Sequence, residues 1–110
     1  MSTDFDFIEY LEEQLSGVDN IFFLKMFGEY ALYCDNKVVA LVCDNQLFVK
    51  PTIAGREYLE DVIEEPPYSG AKNYFLIGDR IDDKEWVSEL IRITAEEVPL
   101  PKAKKPKKKK

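Results

Sequence analysis

The sequence predicts an α+β domain: an antiparallel meander sheet of four to five strands with flanking helices, in the order αββββαβα. Two observations lead to this fold class. Short β-rich runs separated by Asp-Asn pairs predict hairpins, and amphipathic segments with helical spacing lie before and after them. The length of 110 residues and an apolar share of 45% fit one domain with its own core.

The first element is a helix over residues 4–16, with Thr3 or Asp4 as its N-cap and Gly17 as its stop signal. Its apolar residues at helical spacing are Phe5, Ile8, Leu11 and Leu15. This pattern predicts a surface helix with one buried face.

Four β-rich runs follow, IFFLKMF, YALYC, VVALVC and LFVK. They are separated at Gly28-Glu29, at Asp35-Asn36-Lys37 and at Asp44-Asn45-Gln46. Because Asp and Asn tolerate the positive φ of tight hairpin turns, these runs predict a meander.

The second half predicts a helix over 53–65, ended by two prolines, then a strand over 73–77 and a helix over 83–98 capped by Asp82 or Asp83. The inward residues of the helix over 53–65 are Tyr58, Leu59, Val62 and Ile63. Those of the last helix are Trp86, Val87, Leu90, Ile91, Thr94 and Val98.

The segment KMFGEY raises the question of whether Gly28 and Glu29 form a catalytic feature or a turn. Glycine relieves strain where one strand turns into the next. Glu29 is expected at an exposed corner, without the second titrating group that a catalytic carboxylate normally needs. The sequence therefore favours a turn.

The residue inventory gives no catalytic, cofactor or metal site. The chain has no His, which excludes Ser-His-Asp and Cys-His systems and histidine-ligated zinc. No phosphate-binding or dinucleotide-binding glycine motif occurs. The acidic segment GDRIDDKEW lacks calcium-loop spacing and is predicted to be a turn and helix cap. We expect a protein that is not an enzyme and has no cofactor.

Cys34 and Cys43 are the two cysteines of the chain. If Asp35-Asn36 is a two-residue turn, Cys43 lies opposite Gly28 and not opposite Cys34, so a disulfide between them is not expected. Free thiols with a packing role are predicted.

Charge divides the chain in two. Residues 1–101 hold eight basic against 21 acidic residues, a net charge of −13, and are expected to form the single folded domain, whereas 102–110 are rich in lysine and are predicted to be a disordered tail. The candidate phosphate contacts are Lys102, Lys104, Lys105, Lys107, Lys108, Lys109 and Lys110. Weak nucleic-acid binding, a solubilising role and contact with the acidic body remain open for this tail.

The aromatic residues of the meander could form a stacking platform for single-stranded nucleic acid or could pack in the core. They are Phe22, Phe23, Phe27, Tyr30, Tyr33 and Phe48. Stacking platforms carry basic residues between the aromatics, and an acidic body repels phosphate. Core packing is therefore favoured.

Across residues 5–97, KMFGEYALY, DNKVVALVCDNQLFVK, PPYSG and NYFLI resemble the N-terminal domain of the TfoX/Sxy family. The matching positions are Met26, Phe27, Gly28, Leu32, Tyr33, Asp35, Ala40, Leu41, Val42, Asp44, Leu47 and Lys50. Glu29 and Ala31 replace two usual glycines of this pattern. The resemblance implies a compact α+β domain linked to regulation of competence genes, and we expect it to stand alone, without the family's helical C-terminal domain.

Two functions are considered. The preferred one is a regulatory or adaptor domain that contacts an unidentified protein, and the alternative is a small-molecule-binding or uncharacterised enzymatic domain. Apolar residues at nearly consecutive positions of YALYC and VVALVC indicate a sheet covered on both faces, which predicts a homodimer. No apolar run approaches about 18 residues and the N-terminus is acidic, so a bacterial cytoplasmic location without membrane contact is expected.

Overall fold

The computed structural model describes residues 3–26 and 28–99 and confirms the α+β class. Six antiparallel strands form one sheet in the order β1-β2-β3-β4-β6-β5. The strands are β1 (Ile21–Met26), β2 (Glu29–Cys34), β3 (Lys37–Cys43), β4 (Gln46–Val49), β5 (Glu64–Glu65) and β6 (Tyr74–Ile77). The helices are α1 (Phe5–Gln14), α2 (Ile53–Leu59) and α3 (Lys84–Glu97), and a 3-10 helix spans Asp79–Asp82.

The predicted hairpin turns are confirmed. Asp35 and Asn36 have φ values of 53° and 66°, and Asp44 and Asn45 have values of 53° and 59°. Two consecutive positive φ angles are the mark of a type I′ turn, whose twist matches that of paired strands. These two turns join β2 to β3 and β3 to β4 as antiparallel neighbours.

The predicted register of the β2–β3 hairpin is wrong by one residue beyond its first two pairs. Cys34 pairs with Lys37 as the two-residue turn requires, but a bulge between Leu32 and Tyr33 shifts the remaining pairs, so that Tyr30 pairs with Val42. Continued along the strand, this register brings Cys43 opposite Glu29 and not opposite Gly28. Both cysteines are free thiols, as predicted.

The helix predicted over 53–65 is too long. It ends at Leu59 because Glu60 has a φ of 67°, which breaks the helical path. The chain then forms β5, and the backbone N–H of Leu76 donates to the carbonyl of Ile63 at 2.8 Å. Ile63 is consequently 59% exposed and not inward. Pairing with the outer edge of β6 satisfies backbone groups that a longer helix would leave unpaired.

The first and last helices follow their predicted patterns. Asp83 caps α3, accepting a hydrogen bond from the Trp86 N–H at 3.1 Å. The buried residues of these helices include Ile8 and Leu11 of α1 and Val87, Leu90, Ile91 and Thr94 of α3. Phe5 departs from its prediction, being 60% exposed at the start of α1.

The main core lies between the helices and one face of the sheet. Leu32, Val42 and Val49 belong to this cluster together with side chains of α1 and α3. Because side chains alternate along each strand, their sequence neighbours project to the other face. No helix of the described residues is long and apolar enough to cross a membrane.

Candidate functional site

The second face of the sheet, which we term the open face, is rich in apolar side chains. By the strand register its members are Phe22, Leu24, Met26, Ala31, Tyr33, Val38, Leu41, Cys43, Phe48, Tyr74 and Leu76. Ala31, Cys43 and Phe48 are buried although they lie outside the main core cluster. The centre of the open face is thus covered by neighbouring side chains.

The edge strand β1 carries the exposed part of this face. Phe22, Leu24 and Met26 are 45%, 48% and 40% exposed, respectively. The ring of Phe22 stacks on that of Tyr33, with centroids 4.7 Å apart. Within the described residues no strand pairs with the outer edge of β1, so both backbone and apolar side chains are available there.

The β1–β2 connection contains the turn predicted at Gly28, whose φ is 83°. Glu29 is half-buried, not at an exposed corner, because the N-terminal segment crosses it. Its Oε1 accepts hydrogen bonds from the Thr3 hydroxyl at 2.6 Å and from the Asp44 N–H at 3.1 Å. The N–H of Thr3 also donates to the Gly28 carbonyl at 3.2 Å. Glu29 therefore joins the N-terminus to two strand connections.

A cleft of about 580 Å³ opens on this face beside Glu29. Its lining includes Met26 and Glu29 from the β1–β2 connection, Leu41 and Cys43 from β3, Tyr74 from β6, and Tyr68 from the segment before β6. We term it the open-face cleft. It combines apolar walls with one carboxylate, phenol hydroxyls and a thiol.

The thiol and one phenol of the cleft are held protonated at neutral pH. The pKa of Cys43 is raised to about 11, first by burial and then by the negative charges of Glu29 and Asp44. Burial is also the main cause of the raised pKa of Tyr74, with smaller contributions from Tyr68 and Cys43. A protonated thiol is a poor nucleophile, so Cys43 is better suited to packing than to covalent chemistry.

Cys34 lies outside the cleft, in a second depression lined by Asp35 and Lys37. Burial and, secondarily, Asp35 raise its pKa. Lys37 donates from Nζ to the Ala95 carbonyl at 2.6 Å and so neutralises the C-terminal end of α3. Both cysteines are thus in surroundings that disfavour the thiolate. Among the described residues, no three His, Cys, Asp or Glu side chains are grouped so as to hold a metal ion.

The family-motif positions are mostly part of the folded framework. Leu32, Ala40, Val42 and Leu47 are buried in the core, and Asp35 and Asp44 open the two type I′ turns. Tyr33 and Leu41 are half-buried on the open face, Met26 is exposed, and the Lys50 N–H donates to the Val39 carbonyl. Phe27 lies outside the described residues.

The aromatic residues do not form one continuous platform. By the strand register Phe23 and Tyr30 face the helices, whereas Phe22 and Tyr33 stack on the open face. Two lysines lie on strands of the same meander, but Lys25 is on the helix side by the same register and Lys37 donates a hydrogen bond to α3. This separation favours packing over nucleic-acid stacking. The tail lysines lie outside the described residues.

Sequence reasoning missed the open-face cleft. The alternation of Leu41 and Cys43 along β3 could have placed both on one face, but the one-residue register error obscured their neighbour Glu29. Tyr68 carries no periodic signal, since it belongs to an irregular segment after Pro66-Pro67.

Comparison with known proteins gives two findings. The family model described as the TfoX N-terminal domain matches residues 13–98. An uncharacterized 12.7 kDa protein in the trpE 5′ region of Spirochaeta aurantia is 40% identical over 107 residues, covering 97% of this chain and 93% of that protein.

Proposed function

Since the chain belongs to the TfoX N-terminal domain family, we propose that it is a non-enzymatic regulatory or adaptor domain that acts through protein contacts in the bacterial cytoplasm. The link to competence or transcription regulation is part of this proposal and comes from the family resemblance. The observation that carries the protein-contact step is the exposed apolar strip on β1.

This strip, formed by Phe22, Leu24 and Met26, has the chemistry of a contact surface. Three apolar side chains project in a row from the same face of an edge strand, each at least 40% exposed. Contiguous exposed apolar side chains mark interaction sites more often than single ones do. The outward backbone groups of an edge strand add the capacity to pair with a further strand.

A photocrosslinking amino acid tests this proposal in the native cell. Introduced at Leu24, it should form a discrete adduct with a protein, while the same group at Ile53 on α2 should not. Ile53 is a matched control because it is 74% exposed and apolar but belongs to the helical side. The double substitution Phe22→Ser and Leu24→Ser should then change expression of the regulated genes. Equal adduct patterns at the two positions would contradict the proposal.

We further propose that the protein forms a homodimer through β1, since two-fold dimers are the commonest homo-oligomers and such an interface would bury this strip. Light scattering should give about twice the 12.8 kDa chain mass at micromolar concentration. Leu24→Lys should return the protein to the monomer because a charge would be buried at the two-fold contact. A wild-type protein that remains monomeric would remove the dimer from the proposal.

For the tail we propose weak, sequence-blind nucleic-acid affinity, opposed by the acidic body. Its support is the sequence: seven lysines stand in residues 102–110, beside a body of net charge −13. Lysine pairs with phosphate as a point charge and carries no information about base edges.

The open-face cleft favours a second candidate function, small-molecule binding. Its volume lies within the range of about 300–1,000 Å³ that ligand pockets occupy, and apolar side chains line most of it. A thermal-shift screen with metabolites separates the candidates, because reproducible stabilisation by one chemical class is expected only from ligand binding.

A further inference from the structure

We propose that the open-face cleft binds a small organic cation with an apolar body, of the aliphatic or aryl-alkyl amine class. This inference rests on the second candidate function, ligand binding in the cleft.

The walls of the cleft suit the apolar part of such a ligand. Met26 and Leu41 offer aliphatic surface, and Tyr68 and Tyr74 add aromatic rings. Tyr68 is 60% exposed, so a molecule entering the cleft would bury apolar surface that water now contacts. The volume of about 580 Å³ lies within the range of about 300–1,000 Å³ found for small-molecule pockets.

The carboxylate of Glu29 supplies a partner for an ammonium group. Both of its hydrogen bonds, from the Thr3 hydroxyl and the Asp44 N–H, end on Oε1. Oε2 accepts no hydrogen bond within the described residues. The side chain is therefore fixed in place while one oxygen remains available, which lowers the entropy cost of binding a cation there.

The remaining lining also selects for positive charge. No Lys or Arg is among the described residues that line the cleft, so an anionic ligand would find no charged partner. The faces of tyrosine rings attract cations through their quadrupole. The carboxylate of Asp44 is a second negative charge beside the cleft: after burial, the charges of Glu29 and Asp44 both raise the pKa of Cys43. The body's net charge of −13 adds to that potential at longer range.

Three probes of nearly identical shape test the inference with the full chain: 4-phenylbutylamine, 4-phenyl-1-butanol and 4-phenylbutanoate. Titrations followed by amide chemical shifts at pH 7 and low salt give a Kd for each. The amine should bind at least about fivefold more tightly than the alcohol, as expected for one desolvated cation contact. The anionic probe, 4-phenylbutanoate, should bind more weakly than the alcohol. The shifted amides should include those of Leu41, Cys43 and Tyr74.

Two variants assign the selectivity to one group. Glu29→Gln keeps the side-chain shape and should lower amine affinity to that of the alcohol. Glu57→Gln removes a carboxylate from the exposed surface of α2 and should leave the amine preference intact. Raising the salt concentration should weaken the binding of the amine to the wild-type protein and leave the binding of the alcohol unchanged. This comparison tests the charge contact without any substitution.

The outcomes are distinct. Equal affinity for amine and alcohol would overturn the cation inference and leave the cleft as an apolar ligand site. Absence of shifts at Leu41, Cys43 and Tyr74 with all three probes would overturn both the inference and the second candidate function.

Discussion

Replacing Glu29 tests whether the β1–β2 connection is held by its carboxylate. Glu29→Ala removes the acceptor of two hydrogen bonds, from the Thr3 hydroxyl at 2.6 Å and from the Asp44 N–H at 3.1 Å. Hydrogen bonds to charged groups contribute about 1.5–3 kcal/mol each when buried. The first of these bonds is part-buried and the second is exposed, so we take about 1 kcal/mol for each. The substitution should therefore destabilise the domain by about 2 kcal/mol.

Glu29→Gln refines this estimate because the amide oxygen remains an acceptor. Charge-assisted hydrogen bonds are about twice as strong as neutral ones, so this variant should lose about 1 kcal/mol. Urea unfolding followed by the fluorescence of Trp86, the only tryptophan of the chain, measures both values. At about 4–8 °C per kcal/mol, the melting temperature should fall by about 8 °C or more for Glu29→Ala.

A double-mutant cycle with Thr3→Val isolates the side-chain pair. The coupling energy should be about 1 kcal/mol, since the hydroxyl and the carboxylate are in direct contact. Glu57→Ala on the exposed side of α2 is the matched control and should change stability by less than about 0.5 kcal/mol. If Glu29→Ala behaves like this control, and the cycle shows no coupling, the structural role assigned to Glu29 is refuted.

Three further predictions concern other parts of the chain. Glu97 accepts hydrogen bonds from the Ala54 and Ile53 N–H groups, which lower its pKa below 4.5. Its contribution to stability is therefore present above pH 4.5 and is lost as the pH falls through the folded-state pKa. Glu97→Gln should flatten this part of the curve of unfolding free energy against pH. Iodoacetamide at pH 8 should alkylate Cys43 about 100-fold more slowly in the native protein than in urea, because a pKa of about 11 in place of 9.0 lowers the thiolate fraction by that factor; equal rates would contradict the assigned burial. The full chain should bind scrambled and specific DNA alike, with a slope of log affinity against log salt of about −4 to −5. Deleting 102–110 should abolish this binding and leave the thermal stability unchanged. Equal DNA binding by the full chain and the deletion variant would leave no role for the tail in nucleic-acid contact.

The parts of the fold that the sequence predicted correctly depend on local chemistry. The Asp-Asn pairs at 35–36 and 44–45 determine their turns by their own tolerance of positive φ. The cap at Asp83 and the apolar period of α3 similarly involve residues three or four positions apart. Such signals are contained within one short window of sequence.

The parts that were missed depend on distant partners. β5 consists of two glutamates, Glu64 and Glu65, which have no strand propensity and are ordered by the edge of β6. The bulge between Leu32 and Tyr33 shifts the register, and no glycine in either strand signals it. Glu29 owes its half-buried position to Thr3, 26 residues earlier in the chain. The open-face cleft depends on two of these relations, the shifted register and the position of Glu29, which explains why periodicity did not predict it.

The geometry of the open face links its two proposed uses. Its centre needs no partner, because Ala31, Cys43 and Phe48 are already buried. A dimer contact is thus concentrated on β1, where Met26 is both 40% exposed and part of the cleft lining. If Met26 turns toward a bound amine, it leaves the proposed two-fold contact, because the same side chain belongs to both surfaces.

We therefore expect saturating 4-phenylbutylamine to weaken the dimer by at least about fivefold, the low end of measured coupling between sites. By linkage, each site of the monomeric variant Leu24→Lys should bind the amine more tightly than a site of the wild-type dimer by the square root of that factor, because two sites fill in each dimer. Sedimentation equilibrium with and without the amine measures the first effect, and the amide titration measures the second. Met26→Ala should reduce both, since it removes the side chain that the two sites share. If Met26 is shared, the amine must bind the monomer and the dimer with different free energies, and this difference changes the dimer constant. A dimer constant that stays unchanged while the amine fills the cleft would therefore show that the two sites are independent.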